Sequence, residues 1–178
     1  RLKEEQLLTG EGGKGRNIWT CMGYILACRE PGIIAFHDCD IVTYERILLA
    51  RLVYPLVDPR MEYEYSKGYY VRVTDRLHGR VTRLFVTPLI RSLRRILGPV
   101  PFLEYLDSFR YPLSGEFAMK TGFANVAMIP STWGIEMGML GEVYRNYTQR
   151  RICQVDLSID YEHKHQELSQ GDPTKGLM

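Results

Sequence analysis

Asp38-Cys39-Asp40 follows directly on the apolar run Ile33-Ile34-Ala35-Phe36. In extended backbone, residues i and i+2 point to the same side, so the two carboxylates would converge on one small volume. Without a cation they would repel each other. A divalent ion resolves that repulsion, and hard oxygen ligands favour Mg2+ or Mn2+. The plainer reading is a solvated acidic turn ahead of a helix. Its place after an apolar strand raises the ligand reading to equal standing, because open α/β sheets bind ligands outside the carboxyl ends of their strands.

Other residues offer complementary chemistry. His163 and His165 also stand two apart, in Tyr161-Glu162-His163-Lys164-His165, and a neutral imidazole can complete a Mn2+ coordination shell. Alone, that segment reads as a polar surface loop. Gly79-Arg80-Val81-Thr82 puts a glycine, a guanidinium and a hydroxyl at a helix start, which suits a phosphate or carboxylate. The alternative is an ordinary helix start with solvated arginines. Gly12-Gly13-Lys14-Gly15 lacks the spacing of a nucleotide-triphosphate P-loop, which excludes that class, yet a lysine between glycines can approach a diphosphate. Ser114-Gly115-Glu116 and Trp133-Gly134-Ile135-Glu136 each set a glutamate beside a glycine. Glycine allows a close backbone approach, and the glutamate could accept hydrogen bonds from sugar hydroxyls or simply favour a helix N-terminus. His37 and Cys39 are expected to point into packing, and Arg91, Arg94 and Arg95 read as a solvated helix face.

The elements that must position these residues read as α/β. Helical spacing is expected over 17–28, then a strand over 33–36 buried on both faces. Thr43 is expected to cap a helix over 44–57. Residues 62–74 are rich in Tyr and Val and read as strands, with a bend or bulge at Gly68. An amphipathic stretch over 81–97 should kink or split at Pro88. A helical turn is expected over 103–108. A helix follows over 133–147 with Glu142 and Arg145 outward, and a strand over 152–159. Residues 1–160 read as one catalytic domain, and 161–178 as a metal-ligand loop with a C-terminal segment.

The bulk numbers set limits. With 178 residues and 45% hydrophobic residues, one domain with a real core is expected. A formal charge of +2 gives no case for nucleic-acid binding. The four cysteines form no CxxC pair, which fits a reducing, cytoplasmic setting better than a disulfide framework. No apolar run approaches the roughly 20 residues that span a bilayer. The apolar content of 81–97 exceeds what one face needs, which points to a homodimer. The start at Arg1, without a methionine, reads as a fragment.

Taken in order, Gly13-Lys14-Gly15, Asp38-Cys39-Asp40, Gly79-Arg80-Val81-Thr82 with Thr87-Pro88-Leu89, Pro112-Leu113-Ser114-Gly115-Glu116, Trp133-Gly134-Ile135-Glu136-Met137-Gly138 and His163 resemble the glucosyl-3-phosphoglycerate synthase family. Any one of these motifs is common, whereas the ordered set is specific.

The resemblance implies a glycosyltransferase A fold, a Rossmann-like mixed sheet flanked by helices, here without the N-terminal nucleotide-binding segment. It implies retaining transfer of a hexose, glucose or (as in related synthases) mannose, from a nucleoside diphosphate sugar to the 2-hydroxyl of 3-phosphoglycerate. By motif position, Asp40 and His163 would bind Mg2+ or Mn2+. Lys14, Asp38, Leu113, Gly115 and Glu116 would line the donor. Gly79, Arg80 and Thr82 would hold the acceptor phosphate. Glu136 would be the catalytic residue beside the sugar and the acceptor hydroxyl. His165 departs from the asparagine expected at its place. A metal-dependent nucleotidyltransferase and a non-catalytic sugar-nucleotide-binding domain are the alternatives.

Overall fold

The structure, a computed structural model, describes residues 13–28, 32–70 and 80–157. Helix α1 spans Lys14–Ala27 and strand β1 Ile33–Phe36. Helix α2 spans Arg46–Val57 and strand β2 Tyr65–Tyr69. A π-helical turn over Thr82–Val86 runs into α3, Thr87–Leu97, followed by α4, Pro101–Asp107. Strand β3 is Phe117–Lys120, with α5, Thr121–Ala124, directly after it. Helix α6 is Ile135–Asn146, and strand β4, Ile152–Asp156, follows a single 3-10 turn. No helix among the described residues is long and apolar enough to cross a membrane.

The sheet order is β1-β3-β2-β4. Strand β3 runs antiparallel to both β1 and β2, and β4 runs parallel to β2. Side chains alternate across the sheet as period 2 demands. Tyr65, Phe117 and Met119 join Ile18, Met22, Ile135, Met139, Leu140 and Val143 in the larger core, under α1 and α4–α6. Ala118 faces the opposite way, into the smaller core built on Leu48, Leu52 and Leu56 of α2. Those three leucines are spaced four apart, so one stripe of α2 covers the sheet.

Several sequence expectations change. Strand β1 is not buried on both faces: only Ile34 is buried, because β1 is an edge strand among those described and pairs with β3 alone. Helix α2 begins at Arg46, and the residue before it, Glu45, is extended and makes no capping bond, so Thr43 is not its cap. Gly68 makes no bulge. It stays paired with Val155, and a Cβ there would meet Leu157 and Glu116, so its role is close approach. Pro88 marks the point where the stretch divides into a π turn and α3. It occupies the first turn of α3, where no intrahelical donor is needed, and the preceding turn is widened into a π turn. The single turn expected over 103–108 is a full helix, α4, opened by Pro101. Glu142 points inward: it is 6% exposed, accepts from the Met128 N–H at 2.9 Å and pairs with Arg145 at 2.7 Å.

Candidate active site

Three strands end on one side of the sheet. The carboxyl ends of β1, β2 and β4 meet the beginning of β3 there, and the Phe36–Phe117 pairing sets β1 and β3 level. Asp38 stands two residues beyond β1, and Glu116 immediately before β3. Both therefore lie where an open α/β sheet presents ligands.

The helices bring Lys14 to the same place. The Gly15 N–H donates to the Thr132 carbonyl at 3.1 Å and the Arg16 N–H to Ser131 at 3.0 Å. A Cβ on residue 15 would run into the Pro130 carbonyl, and one on residue 138 would run into the Pro130 ring. Pro130 is thus wedged between α1 and α6, and the two glycines are what let the helix N-termini converge. Lys14 opens α1 and Glu136 lies in the first turn of α6. The Lys14 ammonium donates to Asp38 Oδ1 at 2.5 Å and to Glu136 Oε1 at 2.8 Å. Burial opposes its charge, but the two carboxylates outweigh burial and hold its pKa well above the usual lysine value. Lys14 therefore stays a cation throughout the physiological range.

A second layer lies beneath. The fully buried Glu116 carboxylate accepts from the Asp38 N–H at 3.4 Å through Oε1. Gly115 abuts Asp38 so closely that any Cβ there would fall inside the carboxylate. The Ser114 hydroxyl donates to the Gly68 carbonyl at 2.5 Å. The Ser114 carbonyl accepts from Lys67 Nζ at 2.6 Å, and Lys67 is 1% exposed. Its ammonium also lies 5.5 Å from the centre of the Phe117 ring. Burial pushes the Lys67 pKa down to about 8, against the opposing pull of Glu116 and Glu136. Leu113 is half-buried in the same loop.

Thr82 and Arg80 belong to a separate wall. Thr82 is buried in the π turn, and Arg80 is exposed just before it. Thr82 lines an open groove of about 550 Å3 with Arg83, Thr87, Arg91, Arg95 and Arg110. Arg110 connects that groove to the site's end of the sheet, since its guanidinium stacks on Tyr69 at 4.8 Å and donates to the Tyr69 hydroxyl at 3.1 Å.

The structure thus brings Lys14, Asp38, Gly115, Glu116 and Glu136 together, and places Thr82 on a neighbouring groove, with Arg80 exposed two residues before it. Gly79, His163 and His165 lie outside the described residues. The chain leaves the extended conformation after Asp38, and Cys39 and Asp40 form an exposed turn. The extended backbone on which the same-side reading of the two aspartates rests therefore ends before Asp40, and no group of three metal-ligating side chains occurs among the described residues. Asp38 and Asp40 still supply hard oxygen donors at the strand end, the chemistry that suits Mg2+ or Mn2+. His37 does turn into packing, edge-on to Tyr44 at 5.3 Å, whereas Cys39 is exposed. Sequence reasoning missed Lys67 and Arg110. A lone lysine in the Tyr-rich run, on the same strand face as Tyr65, was the available signal for the first.

No protein-family model matches the chain. Two curated relatives match along most of it. Glucosyl-3-phosphoglycerate synthase of Persephonella marina is 59% identical over 156 residues, 88% of this chain and 39% of that protein. The synthase of the same name from Methanococcoides burtonii is 47% identical over 164 residues, 90% of this chain and 40% of that protein. The chain thus spans about two fifths of the length of these relatives. Among solved structures, it is similar to glucosyl-3-phosphoglycerate synthase from Mycobacterium tuberculosis in complex with Mn2+, uridine-diphosphate-glucose and phosphoglyceric acid. That likeness has a TM-score of 0.71 at 25% identity and covers 93% of this chain and 51% of the other. The same enzyme with Mg2+ and uridine-diphosphate gives a TM-score of 0.70.

Proposed function

The chain belongs to the glucosyl-3-phosphoglycerate synthase family, and on that premise we propose that it carries the donor-phosphate and acceptor walls of a retaining glucosyltransferase. The reaction moves glucose from a nucleoside diphosphate sugar to the 2-hydroxyl of 3-phosphoglycerate. The observation that carries this reading is the Lys14–Asp38–Glu136 cluster at the sheet end. It pairs a permanent cation with two aligned carboxylates, on a chain whose relatives have that name.

Each residue then has a physical task. As the glycosidic bond breaks, negative charge grows on the departing diphosphate, and Lys14 is a preorganised cation for it. Asp38 and Glu136 fix the ammonium in place, and Glu136 is the group that would lie beside the sugar and the acceptor hydroxyl. Gly115, with no side chain, leaves room for the Asp38 carboxylate. Leu113 and Glu116 support the donor wall. Gly79, Arg80 and Thr82 would clamp the acceptor's phosphate, a task for which a planar guanidinium fork is well shaped. Asp40 and His163 would hold Mg2+ or Mn2+, and a bound divalent ion supplies Lewis-acid stabilisation of the leaving charge.

Retention can come from a covalent intermediate or from same-face attack by the acceptor hydroxyl. Glu116 has no exposed surface, and Glu136 is tied to the Lys14 ammonium. Neither is a free nucleophile, which supports same-face attack. A homodimer finds support in the exposed Leu84, Phe85 and Leu89 along the π turn and α3. The test is Asp40→Ala in the full-length protein, assayed in chelator-treated buffer with added Mn2+. The reading expects loss of transfer, and full activity in the variant overturns it.

A further inference from the structure

Lys67 is a buried ammonium that no step above employs. It sits in β2 opposite Phe117 of β3 and beside Gln154 of β4, with 1% of its surface exposed. A lysine so placed costs stability unless its charge is compensated. The charges facing it belong to four other segments: Glu116 before β3, Glu136 on α6, Asp38 after β1, and Lys14 on α1, the last repelling it. Two ammoniums and three carboxylates therefore share one small volume. An apolar side chain would fill the Lys67 position more cheaply if packing were its only task.

The hydrogen bonds indicate what that task is. The ammonium donates to the Ser114 carbonyl at 2.6 Å, while the Ser114 hydroxyl donates to the Gly68 carbonyl at 2.5 Å. One residue of the loop is thus fastened to adjacent residues of β2, through its main chain and its side chain. The next loop residue, Gly115, lies flush against the Asp38 carboxylate, and the one after it, Glu116, accepts from the Asp38 N–H. The loop is the back wall that decides where Asp38 can stand. Asp38 in turn orients Lys14.

We propose that Lys67 is a positioning residue for glucosyl transfer: its buried ammonium pins the Ser114–Glu116 loop to β2 and so sets the Asp38 carboxylate against Lys14. The inference rests on the glucosyltransferase reading for its catalytic consequence. Its structural half stands on the hydrogen bonds alone.

The experiment compares the full-length protein with Lys67→Met, which keeps an unbranched side chain one atom shorter and removes the ammonium. Lys67→Met/Glu116→Gln is the second variant, read in its place if Glu116, left buried without its counter-charge, prevents folding. Hydrogen exchange by mass spectrometry over residues 112–116 and 37–40 reads the positioning directly. Opening of the loop should speed exchange there by about tenfold or more, with α3 and α4 unchanged. With uridine-diphosphate-glucose, Mn2+ and 3-phosphoglycerate, kcat should fall by about 100-fold, as expected for a misplaced charge, while the acceptor KM stays within about twofold. Unchanged exchange over both segments overturns the proposal, as does unchanged kcat with a raised KM. If the wild-type protein transfers no glucose, the functional reading fails, and the exchange result still decides whether Lys67 holds the loop.

Discussion

The Pro130 carbonyl occupies the space that a side chain on residue 15 would need. This close approach lets α1 begin against the loop before α6, and so delivers Lys14 to Glu136. Gly15→Ala should therefore force backbone apart instead of merely turning a side chain. The expected destabilisation is about 3 kcal/mol, the upper end of overpacking costs. Urea denaturation of the full-length protein measures it, and an unchanged midpoint would show that the helix can shift freely.

Gly115→Ala makes the opposite case. The obstructing atoms belong to the Asp38 carboxylate, a side chain that can move. Stability should change by less than about 1.5 kcal/mol. Transfer should fall by about 100-fold, because the displaced carboxylate no longer orients Lys14. Melting temperature and kcat measured on the same sample separate the two effects. Normal kcat in a stable variant would mean that Asp38 need not stand where it does.

The acceptor assignment has its own signature. Arg80→Ala should weaken use of 3-phosphoglycerate by about 30- to 150-fold, the equivalent of a charged hydrogen bond worth about 2–3 kcal/mol. Binding of the nucleoside diphosphate, measured by calorimetry, should be unaffected. Equal losses for donor and acceptor would place Arg80 elsewhere in the cycle.

Alkaline pH should set stability and turnover against each other. Burial lowers the Lys67 pKa from 10.5 to about 8, while the Lys14 pKa is raised. Between pH 8 and 10.5 the unfolded chain keeps the Lys67 proton and the folded chain gives it up. Stability contributed by this group therefore rises with pH across that window, since the unfolded state binds more protons. Turnover should fall over the same range, as the Ser114 carbonyl loses its charged donor. The melting temperature of wild type relative to that of Lys67→Met should rise with pH. The alkaline fall in kcat near pH 8 should be missing from the variant, and a fall that persists there belongs to another group.

Much of the site was legible in the order of its motifs. Asp38 after an apolar run, Lys14 between glycines and Glu136 behind Trp-Gly-Ile converge as neighbours in space. What was not legible depended on contacts between distant segments. Periodicity assigned Glu142 to the solvent face, and its burial depends on the Met128 N–H, fourteen residues earlier and across a loop, together with Arg145 one turn on. An apolar run cannot reveal strand order, so β1 read as a buried strand instead of an edge strand of the described sheet. The i, i+2 rule for Asp38 and Asp40 assumed that extended backbone continues past the strand, and the turn at Cys39 ends it. Lys67 looked like one polar residue among tyrosines because its partners, Ser114 and Glu116, come from a loop nearly fifty residues on.

The most direct test of the central claim is product analysis on the full-length protein. It would be incubated with uridine-diphosphate-glucose, 3-phosphoglycerate and Mn2+ and followed by NMR. The expected products are free uridine diphosphate and a glucosylated 3-phosphoglycerate in equal amounts, with the anomeric configuration of the donor retained, and both are lost in Lys14→Ala. Release of glucose 1-phosphate, with the uridylyl group transferred to the acceptor, would identify a nucleotidyltransferase. No turnover with a panel of sugar nucleotides, despite tight donor binding, would rule out glucosyl transfer and leave a binding domain.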